Sequence, residues 1–143
     1  MARKSASASV ALSAVTDPAA DDAVALAQKL QQAARAGDAA TLTTYVDAGV
    51  PVDLVGDAGD TFVMLAAYHG NAELVQALLD RGADPNLANA KGQTPLGGAV
   101  FKGFADVVRV LVANGADPDA GTPSARVAAT MFDRQDLLAI LDR

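Results

Sequence analysis

Few residues in this chain could do covalent or acid–base chemistry. There is no cysteine and a single histidine, His69. Thiol nucleophiles, disulfides, Cys-ligated metals and His-pair zinc sites are therefore excluded. His69 is the one side chain that ordinarily titrates near neutral pH. General base or triad chemistry would need a nucleophile or acid positioned beside it, and the serines Ser5, Ser7, Ser9 and Ser13 cluster far away in the chain. Standing just before Gly70, His69 reads instead as a helix-ending residue whose cationic form suits the dipole. Asp53, Asp57 and Asp60 lack the alternate spacing of a calcium loop and read as solvated loop carboxylates. Gly92 and Gly97-Gly98 are not followed by Gly-Lys-Ser/Thr, so they make no phosphate loop. No catalysis, cofactor or metal is expected.

What remains is recognition chemistry. Tyr68 and Phe101 lie 33 residues apart, each two residues before a glycine, with His69 and Lys102 directly after them. Arg35 with Ala36, and Met131 with Phe132, take the same two places at either end of the chain. Large apolar side chains exposed together mark interaction surfaces. The competing expectation is that they pack on one another and seal joints between structural units.

The elements that position these residues are repeats. Gly82-Ala83-Asp84-Pro85-Asn86 recurs as Gly115-Ala116-Asp117-Pro118-Asp119, again 33 residues on. Thr61, Ala66, Gly70, Val75 and Leu78 recur as Thr94, Ala99, Gly103, Val108 and Leu111. The same offset backwards reaches Gly37, Gly49 and Asp53. Beyond Asp119 the pattern returns at an offset of about 30, with Ala129, Leu137, Leu138, Ile140 and Leu141. Each unit reads as two helices and a hairpin. Thr61 and Thr94 suit N-caps, and Pro95 the first helical position. Gly70 and Gly103 end the first helix. Asn71 is placed to cap the second, whose Leu74, Val75, Leu78 and Leu79 share one face. Gly82 and Gly115 end that helix, and Gly59 and Gly92 mark hairpin tips.

The 33-residue period, Gly-Gln-Thr-Pro-Leu at 92–96 and Leu-Leu-Asp-Arg-Gly-Ala-Asp-Pro-Asn at 78–86 resemble ankyrin repeats over roughly Ala23 to Arg143. The resemblance implies an all-α ankyrin-repeat solenoid of about four helix-turn-helix/hairpin units. The units are expected near 23–55, 56–88, 89–121 and 122–143, within a repeat domain at 21–143 that follows a flexible tail at 1–20. Thr61-Phe62-Val63-Met64 and Thr94-Pro95-Leu96-Gly97 both lack the family's usual histidine, so its bonds to the hairpins, and some hairpin rigidity, should be missing. In ankyrin proteins the two places before the helix-ending glycine border the concave groove. The resemblance thus implies a partner protein held by Tyr68, His69, Phe101, Lys102, Met131 and Phe132. Asp57 and Asp60 at one hairpin tip and Lys91 and Gln93 at the next would set its charge preference. Gly97-Gly98 would deepen the groove, and the notch could instead take a small molecule.

The ends read as caps, because repeat arrays need polar outer faces at their termini. Gln28, Lys29, Gln31, Gln32 and Arg35 should face outward, with Leu26, Leu30, Ala33 and Ala34 inward. The last unit carries Arg126, Asp133, Arg134, Gln135, Asp136, Asp142 and Arg143 on a shortened hairpin. Either Thr122-Pro123 or a later residue would begin its helix. Arg3-Lys4 before an Ala/Val/Leu stretch hints at export to the periplasm or medium as an accessory or stress-related protein. The interrupting serines argue for a cytoplasmic protein with a mobile tail.

Composition closes off other classes. The net charge is −6, from 17 acids against 11 bases, the wrong sign for a nucleic-acid or anionic-membrane surface. No window approaches the ~18 apolar residues that cross a bilayer. With 51% apolar residues the chain can bury a core. Its sixteen Asp to one Glu, with abundant Ala, fits a GC-rich bacterial genome. A monomer binding one partner protein is the expectation.

Overall fold

The computed structural model describes residues 18–56 and 58–142. The expected tail at 1–17 and the hairpin carboxylate Asp57 lie outside them. Helix α1 begins at Pro18, inside the segment assigned to the tail.

Eight helices run through the described residues: α1 (Pro18–Ala36), α2 (Ala39–Asp47), α3 (Phe62–Tyr68), α4 (Ala72–Asp80), α5 (Pro95–Lys102), α6 (Ala105–Ala113), α7 (Ala125–Met131) and α8 (Gln135–Leu141). No strand occurs among those residues. Each odd helix packs chiefly on the even helix that follows it and on the odd helix of the next unit; the even helices pair with one another in the same way. The result is two layers, an inner one of α1, α3, α5 and α7 and an outer one of α2, α4, α6 and α8. Between the layers Leu30, Leu42, Phe62, Val63, Leu74, Val75, Leu78, Leu96, Val107, Val108, Leu111 and Leu137 are buried in one cluster.

Local chemistry sets where the helices begin. Thr61, Thr94 and Ser124 accept from the backbone N–H of Met64, Gly97 and Val127, each three residues on, which satisfies a donor the first turn leaves unpaired. Ser124 therefore settles the last unit: α7 starts at Ala125, and Thr122-Pro123 precedes the cap. The outer helices differ. At α2 the Asp38 carboxylate accepts from Thr41 N and Thr41 Oγ1 at 3.1 and 2.7 Å, and these bonds hold its carboxyl below the usual carboxylate range. Asn71, Phe104 and Arg134 stand at the same position of α4, α6 and α8 with no side-chain cap bond. The expected Asn71 cap is thus corrected. Its amide lies against Gly37 of the preceding unit, where a Cβ would come within 2.6 Å of Oδ1.

Between units the loops are laced by a repeated bond. Asp53 accepts from Asp84 N at 3.1 Å, and Asn86 from Asp117 N at 2.7 Å. Ala90 N donates to Ala58 O and Thr122 N to Gly92 O, which brings successive hairpin tips into register. Gly59, at φ 80, is crowded as well as turned: a Cβ there would sit 2.9 Å from Ala90 N.

One cap residue departs from expectation. Gln31 is buried, and its Nε2 donates to the Asp60 carbonyl at 3.3 Å. It anchors the next unit's hairpin where an outward polar face was expected. Leu30, Ala33 and Ala34 face inward as the pattern requires.

Candidate functional site

The ends of the inner helices obey a simple stacking rule. Counting from the capping hydroxyl, the residues three and seven places on touch the residues four and eight places on in the next unit. Met64 and Tyr68 close over Gly98: a Cβ there would meet Tyr68 Cδ1 at 3.1 Å and Met64 Cε at 3.5 Å. The Lys102 ammonium sits 5.0 Å from the centre of the Tyr68 ring, a cation–π geometry. One unit later Phe101 meets Phe132 edge to face at 5.6 Å, the arrangement aromatic pairs prefer. The neighbours are diagonal. Tyr68 and Phe101 each take a partner from the following unit, and Tyr68 also meets His69 edge-on at 6.1 Å.

The row divides by exposure. Tyr68 is half-buried. Phe101, Met131 and Phe132 are 58%, 68% and 49% exposed, and Val127, one turn before Met131, is 49% exposed. Val127 and Met131 occupy the two positions that in the second unit, as Met64 and Tyr68, are covered by the next inner helix. Packing and exposure, posed as alternatives in the sequence, thus apply to different members of one row.

The glycine notch is filled. Gly98 is buried beneath Tyr68 and Met64, so the expectation of a pocket at Gly97-Gly98 is corrected. A hollow lies instead between α3 and the hairpin of the third unit. Its volume is about 80 Å³, and its walls are Asp60, Met64, Leu65, Tyr68, Asn89 and Gln93. Ligand pockets for drug-sized molecules run to ~300–1,000 Å³, so the hollow admits at most one side chain.

Asn89 organises that hollow. Its Nδ2 donates to Asp60 Oδ1 at 2.9 Å and to Gln93 Oε1 at 2.8 Å; its Oδ1 accepts from Lys91 N and Gln93 N. Both amide donors and the acceptor are thereby used. Lys91 is exposed and lies outside the lining. His69 caps α3 from an exposed position, and its Nδ1–H donates to the Leu65 carbonyl at 2.8 Å. Among the described residues no group of three or more His, Asp or Glu gathers as metal ligands would.

A profile of ankyrin repeats in three copies matches residues 30–122, well over half of the chain. The chain belongs to the ankyrin-repeat family. In solved structures it is similar to the human ASB11 ankyrin repeat domain, with a TM-score of 0.69 and 31% identity over 78% of this chain. It spans about half of that domain, covering 52% of it. The likeness extends across 397 solved chains, which marks a widespread architecture and singles out no partner. No curated protein matches. No described helix is long and apolar enough to cross a membrane. Ankyrin repeats are in general protein–protein interaction modules and typically act as binding scaffolds without catalysis.

Within the ankyrin frame, this chain's departures from the family pattern gain a structural meaning. Phe62, in place of the usual proline, is the largest fully buried residue. Met64, in place of the usual histidine, makes a wall of the hollow, and the hairpins draw bonds from Asn89 and Gln31 instead. Asn89 was missed in the sequence. Its signal was an Asn three residues before Gly92, where the Asn carbonyl turns back onto the backbone two residues on. Met64 and Leu65 were missed as lining residues because an apolar pair in a short inner helix reads only as core.

Proposed function

We propose that this ankyrin array binds a partner protein through its inner-helix face and hairpin tips, as a cytoplasmic monomer and without catalysis. The observation that carries the reading is the exposed apolar row of Phe101, Met131 and Phe132, which a monomer would otherwise leave in water. Tyr68, His69 and Lys102 flank that row, and Asp60, Lys91 and Gln93 at the hairpin tips complete the face. Asp57 belongs to the same tip in sequence. The division into units at 55/56, 88/89 and 121/122 is part of this proposal.

The test replaces exposed members and spares Tyr68, which packs. Phe101→Ala with Met131→Ala should leave the protein folded, with a stability loss no larger than the ~0.5–1.5 kcal/mol of the Phe101–Phe132 contact. Capture of a host partner, followed by mass spectrometry, should fall by more than ~2 kcal/mol in affinity, the scale of an interface hot spot. A folded double variant that captures the same partner as tightly as the parent protein would sink the reading.

A further inference from the structure

The hollow beside Tyr68 has a composition that selects its occupant. One wall is Met64, Leu65 and Tyr68, an apolar surface with an aromatic ring. The other wall presents oxygen. Asp60 Oδ1 accepts from Asn89, and among the described residues Asp60 forms no ion pair with a lysine or arginine. Gln93 Oε1 accepts one bond from the same amide and has a second lone pair to offer. Asn89, with both donors engaged, cannot satisfy either oxygen further. An anion here would face a carboxylate that no lysine or arginine pairs among the described residues. A neutral apolar group would leave the Asp60 oxygen desolvated without a partner.

We infer that this hollow receives the basic side chain of the partner protein, a lysine ammonium or arginine guanidinium, against Asp60 Oδ2 and Gln93 Oε1. The aliphatic stem lies along Met64 and Leu65. A charge-assisted bond to the carboxylate supplies specificity. The volume of about 80 Å³ accommodates one such side chain and little else. The net charge of −6 steers a basic segment toward the array before contact. This inference rests on the protein-binding reading above and names the chemistry of the residue that the partner inserts.

The experiment titrates the full chain, labelled with ¹⁵N, with n-butylammonium, n-propylguanidinium and, as the neutral isostere, 1-butanol. Either cation should give saturable shifts of the Asn89 and Gln93 side-chain amides, with an affinity of about millimolar for so small a fragment. The tighter of the two identifies lysine or arginine as the source. Asp60→Asn retains an acceptor for Asn89 and should keep the melt while weakening binding about tenfold. Gln93→Glu should tighten it. No saturable shift, equal binding of 1-butanol, or undiminished binding by a folded Asp60→Asn protein each overturns the inference. The two readings fail separately. If Phe101→Ala with Met131→Ala abolishes partner capture while Asp60→Asn captures normally, the hollow has no role and the binding face stands. If the double variant captures normally, the face is wrong, and the amine titration still reports on the hollow.

Discussion

The joint between the second and third units and the joint between the third and fourth use the same positions with different chemistry. At the first, Tyr68 covers Gly98 and lies under the Lys102 ammonium, so a ring is half-buried and its outer surroundings are polar. At the second, Phe101 meets Phe132 and both stay about half exposed or more. The stacking register dictates who touches whom. Residue identity then decides whether the contact closes the surface or leaves an apolar step on it. A side chain thus seals a joint in one unit and stays exposed in the next, although both stand at the same repeat position.

The comparison also isolates how each unit ends its inner helix. Gly70 and Gly103 turn the chain at φ 79 and 80, whereas the fourth unit uses Asp133 at φ 53. Asp133 is the one non-glycine residue with positive φ among those described, a conformation that costs an L-residue of order 1 kcal/mol. The fourth unit therefore carries strain that the middle units avoid.

The largest effects should come from the shared core, where the units are alike. Leu78→Ala and Leu111→Ala occupy equivalent, fully buried positions of α4 and α6, and each should cost ~2–5 kcal/mol in chemical denaturation. Markedly unequal costs would show that the two units are not energetically equivalent. A smaller effect of opposite sign is expected at the helix end. Asp133→Gly should stabilise the protein by ~0.5–1 kcal/mol, because glycine adopts positive φ without a Cβ clash. A loss of stability there would mean that the Asp133 carboxylate, which accepts from Gln135 Nε2 at 3.1 Å, outweighs the backbone strain. Effects of similar size belong to the joints themselves. A double-mutant cycle on Phe101 and Phe132 should give a coupling of ~0.5–1.5 kcal/mol. The cycle on Tyr68 and Lys102 should give ~0.5–1 kcal/mol, the range for an exposed cation–π pair. Equal couplings that respond equally to added salt would erase the distinction between the two joints.

The repeat architecture was legible because its signals are local. Thr61 and Thr94 cap, Pro95 starts a helix, and Gly70 and Gly103 stop one through bonds and dihedrals that involve only nearby residues. The apolar spacing of Leu74, Val75 and Leu78 marks a buried face whatever lies against it. The last unit was harder to read because its cap changed from threonine to serine and its loop was shorter, so the offset of 30 had no second example to confirm it.

What the sequence determined by itself was therefore the unit: its helices, its turns, its core face and its acidic surface. What the tertiary structure decided was every relation between units. Tyr68 pairs with Lys102 and covers Gly98, Phe101 pairs with Phe132, Gln31 reaches the Asp60 carbonyl, and Asn89 reaches the Asp60 carboxylate. These partners come from different repeats, and the angle at which one repeat stacks on the next selects the diagonal neighbour over the level one. That angle is a balance of packing summed along the whole inner layer, so no single residue or local pattern encodes it.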